Sequence, residues 1–428
     1  MINSQFLTKI VLRALFALTL LQFAVQLISA QAGTRPKQEK LLNGLKVLMW
    51  SDPKADKVWV KLRIHSGSAF DPQGKEGVMQ MLSDNLFPNE AAKEFFVEDL
   101  GGSLDVQTTY DYVQINASAK PESFLTMMET IATAVGNPPI DKETTAKLRA
   151  ALLAKMVDVE SDPVYVADRA ASARLFGTFP YGRSILGTMG SLQKIEFADL
   201  LDARQRFLTA DNATVAISGN FDRALAMKAL RRYFGGWLKS DKRVPSTFRQ
   251  PDEPTTAIVE LPSPKPGTTE VRYAFRGVAR GDKDLGASLI FSQIVENRLK
   301  ARMASGQFSG IFVRNEPHML PGLIVAGYSS PARSDIKKED LFGPIRKSVA
   351  DPISDAEFTA VKQAVVTSWS GKDPAISWLD ADTYQIADVD SDPAISTGVS
   401  FSDVRAYAER VQKLPAVTVV AITSPKAN

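Results

Sequence analysis

An α+β fold of two homologous halves, each a largely antiparallel sheet covered by helices, is what this sequence predicts, and three observations carry the prediction. Strands and helices segregate along each half instead of alternating. The order of elements in the first half returns in the second, which closes on VTVVAIT at 417–423 where the first closes on ATVAISG at 213–219. Between them the chain turns rich in Gly, Lys, Arg, Ser and Pro and loses its periodicity, the mark of a linker. The 428 residues divide naturally into two units of roughly 200, far longer than a solenoid period. The expected division is a leader at 1–32, a first domain at 33–240, a linker at 241–254 and a second domain at 255–428.

Taken in order, a polar lead at 35–40 precedes alternating strands at 45–50 and 58–64. A loop at 66–74, with two glycines and a proline, delivers the chain to a helix at 75–87. A second helix at 90–100 stops at Gly101-Gly102. Strands at 103–109 and 112–119 follow, then helical patterns from 122 to 207 broken at 179–188. A buried strand at 213–218 and a helix at 222–234 complete the half. The second half reads as strands at 256–261 and 270–276, a helix at 285–303, strands at 310–314 and 322–328, helices from 337 to 410, and a closing strand at 417–423.

Composition is that of an ordinary folded chain, 44% hydrophobic and 23% charged. The formal charge of +3 includes Lys9 and Arg13, so it falls by two if the leader is removed. Neither value is a nucleic-acid or anionic-membrane footprint. Lys9 and Arg13 precede an apolar run at 14–28, and Ala30-Gln31-Ala32 supplies a small-residue cleavage pattern. Gln22 and Gln26 interrupt that run, which falls short of the ~20 residues of a membrane span. Export follows as the expectation. The absence of cysteine leaves such a chain to be held by its core alone, which suits a periplasm.

Few residues promise chemistry on their own. The two histidines, His65 and His318, have no second imidazole near them in sequence, and a structural role is the expectation for both. No G-x-S-x-G, dinucleotide or P-loop signature occurs. The helix at 75–87 is different. Gly77, Val78, Met79, Met81, Leu82, Leu86 and Phe87 are apolar at helical spacing, which leaves Gln80, Ser83 and Asp84 together on one face. H-x-x-E-H at such positions makes a zinc peptidase helix. This face instead offers an amide, a hydroxyl and one carboxylate.

The frame around that helix resembles the pitrilysin family of zinc peptidases over nearly the whole chain after the leader. Ser66-Gly67-Ser68 with Gly74 and Gly77 is similar to the approach to the family's zinc helix, and Asn85-Leu86-Phe87 to its exit. Leu100-Gly101-Gly102-Ser103-Leu104-Asp105, Pro180-Tyr181-Gly182-Arg183, Leu186-Gly187-Thr188 and Asp211-Asn212 match further signatures in order. The resemblance implies two homologous halves per chain, four halves around a closed chamber, and peptide substrates taken as an added strand on the edge at 103–109, beside Gly102 and Asp105. It also implies that Gln80, Ser83, Asp84 and Lys155 stand at all four positions of the zinc site. Lys155 would then pair with Asp84. Asn297-Arg298-Leu299 and Arg302 match a helix whose Arg holds substrate together with a Tyr seven residues on, here Ser309.

These departures imply no catalytic residue, no metal site and no cofactor in this chain, and no peptide cleavage by the chain alone. The expected role is the non-metal subunit of a heterodimeric zinc peptidase, with zinc in the partner. That subunit would contribute chamber wall and peptide docking, with Gly102, Asp105 and Arg302 toward substrate. The alternatives are a stand-alone peptide-binding or scaffold protein, and an enzyme with a new metal-independent site.

Overall fold

The computed structural model describes residues 35–240, 248–304, 306–331, 337–392 and 398–422; the leader at 1–32 and residues 241–247 of the expected linker lie outside the described residues. The first sheet runs β1 (Lys37–Lys40), β2 (Lys46–Ser51), β6 (Ala213–Gly219), β3 (Val58–Ile64), β5 (Val113–Ala119), β4 (Ser103–Thr108). The second runs β7 (Val259–Pro262), β11 (Val417–Ile422), β8 (Thr268–Arg276), β10 (Leu323–Pro331), β9 (Ser309–Glu316). Apart from β1 the two orders are the same. In each half only the closing strand makes a parallel pair, β6 with β2 and β11 with β7. The predicted fold is the observed one.

Two differences from the sequence reading have simple causes. The polar lead contains β1, paired antiparallel with β2 over Lys37–Lys40. Its four residues are too charged and too few to alternate legibly. The helix at 75–87 is shorter, Val78–Asp84, because Gly77 sits at φ 103°, a left-handed conformation that glycine adopts without strain and that cannot continue a helix. Asp71 then caps the bare end, its carboxylate accepting the amides of Gly77 and Met79 at 2.8 Å each.

The inner face of the first sheet packs Val60, Leu62, Ile115 and Val215 against Met79, Met81 and Leu82 of that helix. Each such side chain, fully buried, stabilises the fold by about 1.5–3 kcal/mol. The second sheet packs Val271, Phe275, Ile324 and Val420 against Ile290, Phe291 and Ile294 of the Leu285–Arg302 helix. The outer faces are covered crosswise. The Pro163–Phe176 helix of the first half lies on β8 and β11, packing Ala171 and Leu175 against Ala274, Val417 and Val419. The Pro374–Tyr384 helix of the second half lies on β6, packing Ala375 and Leu379 against Leu48 and Ala216. Both helices begin in the same way, with a proline in the first turn after a capping aspartate: Asp162 accepts the Val164 amide and Asp373 the Ala375 amide.

The echo of the closing strands is one residue out of phase. Thr214 points outward to Asp382, whereas in β11 it is Val417 and Val419 that face the covering helix. A one-residue offset exchanges the two faces of a strand. Among the described residues no helix is long and apolar enough to cross a membrane.

Candidate functional site

A cavity of about 810 Å³ lies where the two halves face each other, and two strand edges border it. β4 ends the first sheet and pairs with β5 alone; β9 ends the second and pairs with β10 alone. Asp105 to Thr108 of β4 form one wall, Arg314 and Glu316 of β9 another, and Gln80 and Lys155 stand on the helical side. Such edges carry unpaired backbone amides and carbonyls, the groups an added strand would use.

The four expected zinc-site positions gather at or beside this cavity. The Gln80 Nε2 donates to Asp84 Oδ1 at 2.8 Å along their own helix. Burial pushes the Asp84 carboxyl up, while the Gln80 hydrogen bond and the charges of Lys155 and Lys93 pull it down. The expected Lys155–Asp84 ion pair is not formed: Asp84 is turned to Gln80, and Lys155 lies exposed on the cavity wall and acts on it only at longer range. Ser83 is buried at 1% exposure beside Ile64, Met79 and Leu86, and its Oγ has no hydrogen-bond partner. Zinc takes N, S or O donors, three from the protein with a place left for water. One carboxylate, an amide bonded to it and a hydroxyl turned into an apolar pocket do not fit that requirement. Among the described residues no group of three or more His, Asp or Glu could hold a metal.

The remaining expected site residues fall in different places. Asp105 is on the cavity, exposed, with a 3.4 Å contact from the Asn116 amide. Gly102 precedes β4 and lets it approach β5, since a Cβ there would lie 1.7 Å from the Ser118 carbonyl oxygen. Arg302 is committed elsewhere in the second half, donating to Ser348 Oγ at 2.8 Å and pairing with Asp351. Ser309 opens β9 and is exposed.

Sequence reading missed a second cluster. His318, in the turn between β9 and β10, places Nδ1 3.0 Å from Asp111 Oδ2, and Tyr181 donates to Asp111 Oδ1 at 3.2 Å. His65 lies between Thr383 and Thr214, at 2.9 and 3.0 Å, and burial lowers its pKa to about 4. Both histidines thus bind across the join between the halves and border, or lie near, a cavity of about 610 Å³ lined by His65, Asp111, Tyr181, Asp382 and Thr383. The partners are remote in sequence, so no spacing pattern could have revealed them.

Paired α+β halves with crossed covering helices, around a cavity bordered by strand edges, are the peptidase-like fold that the sequence predicts. Residues 46–189 match the family model "Insulinase (Peptidase family M16)" and residues 194–365 match "Peptidase M16 inactive domain". The chain belongs to the pitrilysin, or M16, peptidase family. The second match excludes Gln80, Ser83, Asp84 and Lys155, so its description does not bear on those positions.

An uncharacterized zinc protease of Rickettsia bellii is 24% identical over 210 residues, covering 47% of this chain and 50% of that protein. The Helicobacter pylori non-peptidase homolog YmxG is 20% identical over 297 residues, covering 64% and 67%. The chain spans about half the length of the first curated relatives it matches. Among solved structures, the peptidase M16 inactive domain from Pseudomonas fluorescens superposes with a TM-score of 0.78 at 19% identity, over 91% of this chain and 98% of that one. The first half of the periplasmic protease PqqL from Escherichia coli gives 0.68 at 16%, over 91% and 92%. These likenesses show the fold.

Proposed function

We propose that this chain is an exported, catalytically inactive member of the pitrilysin family, the non-metal subunit of a heterodimeric zinc peptidase. It contributes chamber wall and peptide docking, binds no metal itself and leaves zinc to its partner. The observation that carries the reading is the cavity: two free strand edges border it, while the helix beside it holds Gln80, Ser83 and Asp84 in place of a ligand set. Docking by strand addition needs only backbone groups and outlasts the loss of a metal. Support for export comes from the leader pattern at 1–32 and from the likeness to a periplasmic protease. The naming of one relative as a non-peptidase homolog agrees with an inactive role.

The test is turnover of fluorogenic peptides by the purified mature chain, alone and mixed with a zinc-bearing family subunit from the same genome. The expected result is no cleavage alone, a stable heterodimer by light scattering, and cleavage by the mixture that a chelator abolishes. Metal-independent turnover by the chain alone would overturn it in favour of a new active site. A homodimer that binds unfolded peptide and ignores the zinc-bearing subunit would make it a stand-alone binding protein.

A further inference from the structure

The cavity between β4 and β9 is not neutral toward what enters it. Its cations are Lys155, Arg169, Arg183 and Arg314, and its carboxylates Asp105, Asp168 and Glu316. Arg314 is neutralised by Asp168 at 2.7 Å and Glu316 at 3.0 Å, and Asp168 also receives Arg272. Arg183 donates to the backbone carbonyls of Thr178 and Asp71, and its charge also acts on the Asp71 carboxyl. Lys155 and Arg169 form no ion pair with any carboxylate among the described residues. Two lining cations thus lack an ion pair, Lys155 and Arg169 on the consecutive helices Lys142–Glu160 and Pro163–Phe176, with Asp84 acting on Lys155 only at longer range. The one lining carboxylate without an ion pair among the described residues is Asp105, on β4 itself.

Strand geometry says which part of a docked peptide meets them. Along β4, Asp105 and Gln107 are exposed, whereas Leu104 and Val106 turn toward the first core and the helices that pack on it. A strand added to β4 alternates in the same way, so every second side chain projects toward the helical side where Gln80 and Lys155 stand. The intervening side chains lie on the Asp105 side. Lys155 is exposed and Arg169 half-buried, so both attract a carboxylate through water, over a range that salt shortens.

We infer that the docking cavity selects extended peptides carrying acidic side chains at alternate positions, with Lys155 and Arg169 as the residues that determine the selection. The inference rests on the docking reading and deepens it. It is tested by fluorescence anisotropy on the mature chain with two labelled peptides of about eight residues, alike except that alternate positions are all Glu or all Lys. The expected result is binding of the Glu peptide at least about tenfold tighter, weakening as salt screens it, and reversal of the preference in the Lys155→Glu/Arg169→Glu variant. Equal affinity for the two peptides overturns the charge selection while leaving docking intact. Failure of either peptide to bind overturns docking and this inference together. Should the charge-reversed chain be misfolded by circular dichroism, Lys155→Gln alone, at an exposed position, is expected to narrow the preference. An unchanged preference in a folded variant overturns the assignment to these residues.

Discussion

Arg63 of β3 and Asp380 of the Pro374–Tyr384 helix meet at 2.7 Å across the join between the halves, and the Arg63 side chain is only 1% exposed. The guanidinium is held besides by Gln114 at 2.7 Å and stacks on the Tyr112 ring at 3.9 Å. Asp380 in turn faces Arg280, which forms a two-pronged pair with Asp392 at 2.6 and 2.7 Å. Arg63→Met removes a buried charge whose partners stay in place. Breaking one side of such a pair costs about 3–5 kcal/mol; with Arg280 still 3.5 Å from Asp380, the expected loss is at the low end. Urea denaturation of the variant measures it. Adding Asp380→Asn should recover part of the loss, because it removes the stranded carboxylate.

How much of this was legible in the sequence follows from how far each signal reaches. The adjacency of Gln80 and Asp84 is an i, i+4 relation, and it is realised as a hydrogen bond. The succession of strands and helices in the second half could be read because it repeats the first. The crossed helices could not be read, since Arg63 and Asp380 are 317 residues apart and nothing local marks them as partners. Arg302 shows the same limit: its helix was legible, but its attachment to Ser348 and Asp351 depends on a neighbouring helix placed by tertiary packing. Ser83 was read as one of three residues on a polar face, yet helical spacing alone does not say that this part of the face is sealed by Ile64 and Leu86.

Two buried groups should give opposite slopes to stability against pH. His65 is lowered from 6.5 to about 4, mainly by burial, with the charges of Arg63 and Lys46 adding to it and Asp382 opposing. Between those values the unfolded chain binds more protons, so this contribution grows as pH rises from about 4 to 6.5 and is lost as pH falls. Asp71 is raised from 3.8 to about 7 by burial, against the two amides it accepts. Here the folded chain keeps its proton longer, and stability falls as pH rises from about 4 to 7. Each contribution is on the order of 3 kcal/mol. Relative to the parent, His65→Gln should lose the rise and Asp71→Asn the fall, in melting temperatures taken from pH 4 to 8; parallel curves would refute both assignments.

Gly102→Ala tests the edge itself. The new Cβ would stand 1.7 Å from the Ser118 carbonyl oxygen, a backbone atom that moves only if β4 separates from β5. Forced overpacking of this kind costs about 1–3 kcal/mol, and because the obstacle is backbone the upper value is expected. Hydrogen exchange should show the β4 amides losing protection before those of β3. Peptide binding should fall with them, although Gly102 has no side chain with which to touch a ligand.

Ser83→Ala is expected to be neutral or stabilising by up to about 1 kcal/mol. The hydroxyl is buried without a partner in an apolar pocket, where it contributes desolvation and nothing in return. Thermal denaturation checks this, and a loss above about 1 kcal/mol would point to a partner for the Oγ.

Zinc affinity offers the sharpest separation between a lost site and a hidden one. Since Gln80 Nε2 and Asp84 Oδ1 already meet at 2.8 Å, imidazoles at these positions can reach a common metal, and Lys155 borders the same cavity as Gln80. The change of Gln80→His, Asp84→His and Lys155→Glu together supplies two nitrogen donors and one oxygen donor and removes the cation nearest them, leaving a fourth place open for water. By calorimetry the parent chain should take up no stoichiometric zinc, and the triple variant should bind one ion with an affinity that falls as acid protonates the new histidines. Peptide cleavage is not expected to follow. Position 83 would still hold a serine where the H-x-x-E-H resemblance places the general base, and its space, closed by Ile64, Met79 and Leu86, leaves little room for a glutamate.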